Sequence, residues 1–262
     1  MKVVFYKYHG NGNDFIIIDN RSGLLFLSQR QIEFICDRHF GIGADGLMFL
    51  EEKGGFDFSL RYYNSDGHES SMCGNGGRCM ACFAHKLRII ERKARFLAAD
   101  GIHEAEILSE VDEKSLVRLK MKDTIPGTSH HDGYLIDTGS PHFVKFVPDT
   151  DSTDVVAEGR AIRYESRFAP GGCNVNFVHP FEKGIKVRTY ERGVEDETLS
   201  CGTGVTASAL VTAILDPSNP GFFDIETPGG KFKVSFRQEG ESFSEIFLEG
   251  PAEFVFKGEI II

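Results

Sequence analysis

Cys73 and Cys201 stand 128 residues apart in a chain of 262, and each is followed by Gly-x-Gly and a helix-compatible run. Cys73-Gly74-Asn75-Gly76 opens the first run and Cys201-Gly202-Thr203-Gly204 the second. Upstream of each lies a strand-like segment ending in a turn. Phe58-Ser59-Leu60-Arg61-Tyr62-Tyr63-Asn64 matches Ile185-Lys186-Val187-Arg188-Thr189-Tyr190-Glu191, and a gap of one residue aligns the two blocks. Two short Cys-Gly motifs alone would carry little weight. The same order of strand, turn, Cys-Gly-x-Gly and helix, repeated after almost half the chain, predicts two pseudo-symmetric domains, and a period this long is not that of a solenoid.

Helix and sheet faces must cover each other, so the expected fold is α+β (mixed α/β). Each domain is expected to wrap a curved mixed or antiparallel sheet around its central post-cysteine helix, with the active site in the cleft between the domains. The boundary is expected within 123–133, where Pro126, Gly127, Thr128, Ser129, His130 and His131 break all periodicity. His130 and His131 are read there as solvated. Locally, β-rich segments at 3–8 and 15–19 flank His9-Gly10-Asn11-Gly12-Asn13-Asp14, which has the chemistry of a hairpin turn or functional loop. A helix over 28–36, N-capped by Ser28, would turn Ile32 and Ile35 to the core. Strands are expected at 47–51 and 58–63, and short strand-like stretches over 96–121.

Composition excludes several classes. With 41% hydrophobic and 26% charged residues the chain reads as a folded globular protein, neither disordered nor fibrous. No apolar run approaches the ~20 residues of a membrane-spanning helix. The first residues are too short and too polar-interrupted for a signal peptide, so the expected location is the cytoplasm. Against 29 Lys and Arg stand 39 Asp and Glu, a net charge of -10 that argues against nucleic-acid binding. The basic cluster at 86–95 is read as a solvated helix end. In a reducing cytoplasm the six cysteines are not a disulfide framework, so a special cysteine should be catalytic or metal-binding.

A cysteine just before a Gly-rich helix start sits where unpaired N-H groups and the helix dipole favour negative charge, which lowers a thiol pKa. The same N-H groups, at Gly74, Asn75, Gly76, Gly202, Thr203 and Gly204, would form two halves of a carboxylate or phosphate site. Two thiols related by pseudo-symmetry suit inversion at a carbon acid, where one base removes a proton and a conjugate acid returns one from the other side. Such a pair would share one proton at rest and titrate as a unit. The N-H donors would stabilise charge developing on the substrate carboxylate.

These motifs resemble those of the diaminopimelate epimerase family over nearly the whole chain. The shared pieces are His9-Gly10-Asn11-Gly12-Asn13-Asp14-Phe15, Gly41-Ile42-Gly43-Ala44-Asp45-Gly46, Tyr63-Asn64-Ser65-Asp66-Gly67 and Met72-Cys73-Gly74-Asn75-Gly76-Gly77-Arg78-Cys79. They continue with Gly139-Ser140-Pro141-His142, Asn174-Val175-Asn176-Phe177, Tyr190-Glu191-Arg192-Gly193, Cys201-Gly202-Thr203-Gly204 and Pro228-Gly229-Gly230. The resemblance implies an isomerase that converts LL-2,6-diaminoheptanedioate to its meso form, for lysine and peptidoglycan precursor synthesis, with no cofactor and no metal. Cys73 and Cys201 would be its acid/base residues. Asn13, Asn64, Asn174, Glu191 and Arg192 would bind substrate amino and carboxylate groups, and Gly74, Asn75, Gly202 and Thr203 would supply backbone donors. His142 and Glu191 match positions that tune the thiols. The domains would then be 1–123, joined by a returning 252–262 strand, and 124–251. The expected partner is a small-molecule substrate, with no nucleic acid and no membrane, and a homodimer is one assembly state left open.

Two positions depart from the family pattern. Ser140 stands where Asn is common and Gly46 where some members have Gln, so contacts to the distal end of the substrate are expected to differ. Cys79, Cys82 and His85 could be read as zinc ligands, but the spacing puts both thiols on one helix face, which favours core packing, as for Cys36. Cys173 is read as lying near the substrate loop. The competing activities are a proline or hydroxyproline racemase, whose small ring would leave Asn64, Asn174, Glu191 and Arg192 unpaired, and a non-catalytic amino-acid-binding or thiol redox protein. Oxidation to a Cys73–Cys201 disulfide would be an inactive state.

Overall fold

The computed structural model describes residues 2–125, 127–182, 184–216, 218–240 and 242–262. Pro126 of the expected linker and Met1 of the leader reading lie outside them. The chain forms two compact units, Met1–Leu119 with Gly250–Ile262, and Lys120–Glu249.

The first unit contains β1 (Lys2–Gly10), β2 (Asn13–Asp19), α1 (Gln29–Cys36), β3 (Gly46–Glu51), β4 (Phe58–Asn64), β5 (Glu69–Ser70), α2 (Gly74–Lys86), β6 (Lys93–Ala98), β7 (Gly101–Val111) and β8 (Lys114–Lys120). The hairpin between β1 and β2 turns on Asn11 and Gly12, both at positive φ (52° and 84°). Asn-Gly tolerates that conformation in a tight two-residue turn. The turn leaves Asn13 opposite Gly10 at the start of β2. Phe15 to Ile18 are all buried, so β2 is covered on both faces and runs parallel to β3. The crossover helix α1 is fixed by a capping box between Ser28 and Gln31 and buries Ile32, Ile35 and Cys36.

Every residue from 74 to 84 of α2 is buried. A helix covered on all sides needs a sheet that encloses it. Here β1 to β4 pair in order, β4 pairs with β6, and β6, β7 and β8 follow antiparallel. The second half of the long strand β17 (Ser242–Ile261) pairs with both β8 and β1, so the ring of pairings β1–β2–β3–β4–β6–β7–β8–β17 closes on itself.

The second unit repeats this scheme with β9 (Thr128–His130), β10 (Gly133–Asp137), β11 (Pro141–Phe146), α3 (Val155–Arg163), a 3-10 turn (Ser166–Phe168), β12 (Asn174–Phe181), β13 (Gly184–Glu191), β14 (Asp196–Thr198), α4 (Gly202–Leu215), β15 (Phe222–Thr227) and β16 (Gly230–Glu239). Strand β11 runs parallel to β12 across the α3 crossover, β13 parallel to β15, and the other pairs are antiparallel, as in the first unit. Residues 120–124 line the first half of β17, through Met121 N-H to the Ile246 carbonyl and a mutual Thr124–Phe243 pair. The enclosed α4 carries three buried hydroxyls. Thr206, Ser208 and Thr212 each donate to the carbonyl four residues back, at 2.9, 2.8 and 2.7 Å, so none is buried without a partner.

The mixed α+β fold with a sheet around each post-cysteine helix is therefore as expected from the sequence. Two local readings change. Residues 155–163 form a helix that the sequence reading did not anticipate, and His130 is half-buried where a solvated side chain was expected. Its ring packs edge-on against Phe143 and Phe168, whereas His131 is exposed beside Asp132.

Candidate active site

Cys73 is the N-cap of α2. Its extended backbone (φ -95°, ψ 148°) turns the sulfur back over the helix start, where the Gly76 N-H donates to Sγ at 3.2 Å. The thiol lies 3.7 Å from Asn13 Oδ1. The Asn13 amide is oriented by donation from its Nδ2 to Asp45 Oδ2 at 2.6 Å, so its oxygen faces Cys73 and also accepts from Asn75 Nδ2 at 3.3 Å. Asn75 is itself held by Arg78, whose Nη2 donates to Asn75 Oδ1 at 2.8 Å and to Asn11 Oδ1 at 2.9 Å. Arg78 is fully buried, and burial pushes its guanidinium down to about 10, which still leaves it charged near neutral pH.

A second layer anchors Asp45. Arg38 forks onto both oxygens of Asp14 and also reaches Asp45 at 2.7 Å, while Lys7 pairs with Asp14 at 2.7 Å and donates to the Gly43 carbonyl. Burial works against an ionised Asp14, but hydrogen bonds from Arg38 and Lys7 outweigh it and hold the carboxyl well below the usual range. Asn64 ends β4 opposite Gly46, one residue beyond Asp45, with a half-buried side chain. The first unit thus brings Asn13, Cys73 and Asn75 into direct contact and places Asn64 on β4, separated from Asn13's strand β2 by β3.

In the second unit Cys201 is the N-cap of α4 and is buried. Its Sγ lies 3.4 Å from Thr203 Oγ1, and that hydroxyl lies 2.8 Å from His142 Nε2. Asn174 and Asn176 are two apart on β12 and point to the same face, both toward β11. Asn174 donates to Ser140 Oγ at 2.9 Å and accepts the Arg192 backbone N-H at 2.9 Å, and Arg192 Nη2 approaches Ser140 Oγ at 3.4 Å. Thr198 Oγ1 donates to Glu191 Oε2 at 2.8 Å. The turn that carries Arg192 is braced by Glu195, which accepts from Arg163, Tyr164, Tyr190 and the Gly193 N-H. Burial, reinforced by the nearby Arg192 charge, pushes His142 down to about 3, so its imidazole is neutral at physiological pH.

The remaining cysteines are chemically quiet. Cys79 and Cys82 lie in the buried body of α2, with thiols raised by burial, to about 11 for Cys82. Cys36 is pushed up to about 12 in the core under α1, and Cys173 to about 11 among Phe143, Phe168 and Val175. His85 instead meets Glu110 and the Ile90 carbonyl.

The sequence profile of a family described as diaminopimelate epimerase matches residues 5–123 and 134–255, nearly the whole chain. The chain belongs to the diaminopimelate epimerase family. A protein from Flavobacterium psychrophilum named diaminopimelate epimerase is 50% identical over 259 residues, covering 97% of this chain and 99% of its own. One of the same name from Chlorobaculum tepidum is 42% identical over 265 residues, with the same coverage. Among solved structures, a phenazine biosynthesis protein from Bacillus anthracis superposes with a TM-score of 0.76 at 15% identity over the full length of both chains. A probable proline racemase from Agrobacterium radiobacter, crystallised with carbonate, gives 0.72 at 14% identity over 99% of this chain and 93% of its own. These two share the fold.

Within a diaminopimelate epimerase family member, the two departures now have a physical setting. Ser140 Oγ bridges Asn174 and Arg192, so the shorter side chain still ties those two groups together. Gly46 sits hard against its neighbours. A Cβ there would lie 2.5 Å from Tyr62 Cε2 and 2.5 Å from the Tyr63 carbonyl oxygen, and the latter is backbone that cannot swing away. Gly46→Ala is therefore expected to lower stability by about 1–3 kcal/mol through overpacking, read as a lower urea midpoint at unchanged slope. A midpoint equal to that of the parent protein would show that the strands can part at no cost. Sequence reasoning missed Arg78 and Asn176 as site residues. The signal was present, since Arg78 is the sole charged residue of an otherwise buried helical stretch and Asn176 shares a strand face with Asn174.

Proposed function

We propose that this chain, a member of an isomerase family, interconverts LL- and meso-2,6-diaminoheptanedioate by a two-base mechanism in which Cys73 and Cys201 are the acid/base pair. The observation that carries the reading is the recurrence of one device: in each unit a cysteine caps the N-terminus of the enclosed helix, with that helix's first N-H groups beside it. Inversion of a carbon acid needs one proton acceptor and one proton donor on opposite faces of the α-carbon, and each unit supplies one thiol. The thiolate removes the α-proton, the electron pair is held by the substrate carboxylate, and the other thiol returns a proton. The backbone donors at Gly74, Asn75, Gly202 and Thr203 offset the developing charge. No pyridoxal phosphate or metal is required in this scheme.

Asn13, Asn64, Asn174, Glu191 and Arg192 are the proposed contacts to substrate amino and carboxylate groups. Arg192 suits a carboxylate because its fork can bind both oxygens. The chain would work in the cytoplasm on a precursor of lysine and peptidoglycan, and we propose a homodimer as its assembly. No helix among the described residues is long and apolar enough to cross a membrane.

The test is proton NMR in deuterium oxide with LL-diaminopimelate and no added cofactor. The α-proton signal should fall as the meso isomer accumulates, while L-proline as a parallel substrate should keep its α-proton. Exchange with proline in place of diaminopimelate would move the activity to a cyclic amino acid. Exchange with neither would remove the epimerase reading.

A further inference from the structure

Thr203 is placed in the proposed reaction by its backbone N-H, yet its side chain lies between His142 and Cys201. The direction of each hydrogen bond there can be worked out from groups whose role is fixed. Asn176 Nδ2 points at the Phe143 carbonyl, 3.3 Å away, which can only accept, and Asn176 Oδ1 receives Thr189 Oγ1 at 3.0 Å. The amide is therefore oriented, and its NH2 also faces His142 Nδ1 at 3.1 Å. Nδ1 must carry a lone pair to meet a donor, so the neutral imidazole is the Nε2-H tautomer. That N-H then points at Thr203 Oγ1, 2.8 Å away, and occupies one of its lone pairs. The hydroxyl hydrogen is left to turn toward Cys201 Sγ at 3.4 Å.

We infer that Asn176, His142 and Thr203 form a directional relay that presents a hydroxyl hydrogen to the Cys201 thiolate, so that Thr203 Oγ1 and Asn176 are positioning residues for the base. His142 in this arrangement neither takes nor gives the proton. A hydroxyl suits a residue that must serve as base in one direction and acid in the other, because it donates to a thiolate and, on rotation, accepts from a thiol. A hydroxyl already accepting from an N-H is also the stronger donor, which biases the pair toward the thiolate. Among the described residues, the charged group acting on His142 is Arg192, on the turn after β13, and the titratable group across Thr203 is Cys201, the N-cap of α4. Close packing supports the assignment, because a Cβ on Gly204 would lie 2.4 Å from Asn176 Oδ1 and 3.3 Å from both Cys201 Cβ and His142 Cε1. The helix start must be glycine for the relay to fit beneath it.

The inference rests on the epimerase reading for its purpose, but its test needs no substrate. The rate at which iodoacetamide alkylates Cys201, followed by peptide mass spectrometry as pH is varied, reports the thiolate of that one residue. Thr203→Val keeps the shape and the backbone N-H while removing the hydroxyl, and it should raise the midpoint by about one pH unit, a roughly tenfold slower reaction at a fixed pH below it. Thr203→Ser should restore the midpoint to within about 0.3 unit, a margin small against that shift. Nitrogen-15 NMR of the unmodified protein should show His142 as the neutral Nε2-H tautomer at pH 7. A Val variant with an unmoved midpoint, a Ser variant displaced as far as Val, or a His142 that is charged or protonated on Nδ1 would each overturn the relay. If diaminopimelate is not epimerised yet the Val shift is found, the relay stands and the functional reading fails.

Discussion

Cys73→Ala and Cys201→Ala are each expected to lower epimerisation by on the order of 10³-fold or more, since in the proposed two-base mechanism each removes one of the two groups that transfer a proton within every turnover. The fold should survive both changes. Cys73 is half-buried, and its sulfur accepts the Gly76 N-H as a cap contact, so the expected loss is that of a missing N-cap, about 1 kcal/mol. Cys201 makes no side-chain cap bond, and its replacement removes one sulfur, 3.4 Å from Thr203 Oγ1, from the start of α4. Circular dichroism and a melting curve near those of the parent protein, alongside lost meso product, would therefore separate chemistry from folding. The remaining thiol could still exchange the α-proton of the isomer it faces without inverting it. Meso product formed by either variant at more than about a tenth of the parent rate would contradict a two-base assignment, because no single base can return the proton to the opposite face.

The large features of this fold were legible in the sequence because they rest on local chemistry. Asn11-Gly12 turns the first hairpin, Ser28 and Gln31 start α1, and Phe15 to Ile18 mark a strand buried on both faces. The repeated Cys-Gly-x-Gly placed both enclosed helices. What stayed hidden depended on contacts distant in sequence. α3 starts from an Asp154 cap but carries Gly159 in its middle, a poor helix former. Only the folded state explains it: a Cβ there would lie 2.4 Å from Tyr190 Cβ, so the helix is bare where it meets β13. His130 sits in a linker-like stretch, and its burial is decided by Phe143 and Phe168. The role of Asn176 depends on a carbonyl and an imidazole 33 and 34 residues away, which no spacing within β12 reveals.

Arg78 illustrates the same limit with the larger energetic consequence. Its guanidinium is enclosed in the first unit and donates to Asn11 Oδ1, Asn75 Oδ1, the Gly74 carbonyl at 3.2 Å and the Pro251 carbonyl at 3.4 Å. These acceptors come from the first hairpin, the start of α2 and β17, so one side chain ties three parts of the unit together. Arg78→Met would approximately fill the volume but leave those oxygens buried with a donor removed. Each such loss costs about 1–3 kcal/mol, and truncating a buried charged hub typically costs about 3–5 kcal/mol, so destabilisation in that range is expected from denaturant melts. Arg78→Lys keeps the charge but not the planar fork, and should fall between the two. The consequence reaches Cys73 through Asn75, whose amide is turned toward Asn13 because Arg78 holds its oxygen. A folded Arg78→Lys protein should therefore show a reduced kcat with a KM closer to that of the parent. A methionine variant that melts within about 1 kcal/mol of the parent would mean that water or backbone movement resatisfies those oxygens, and that the fork is not what holds the start of α2 in place.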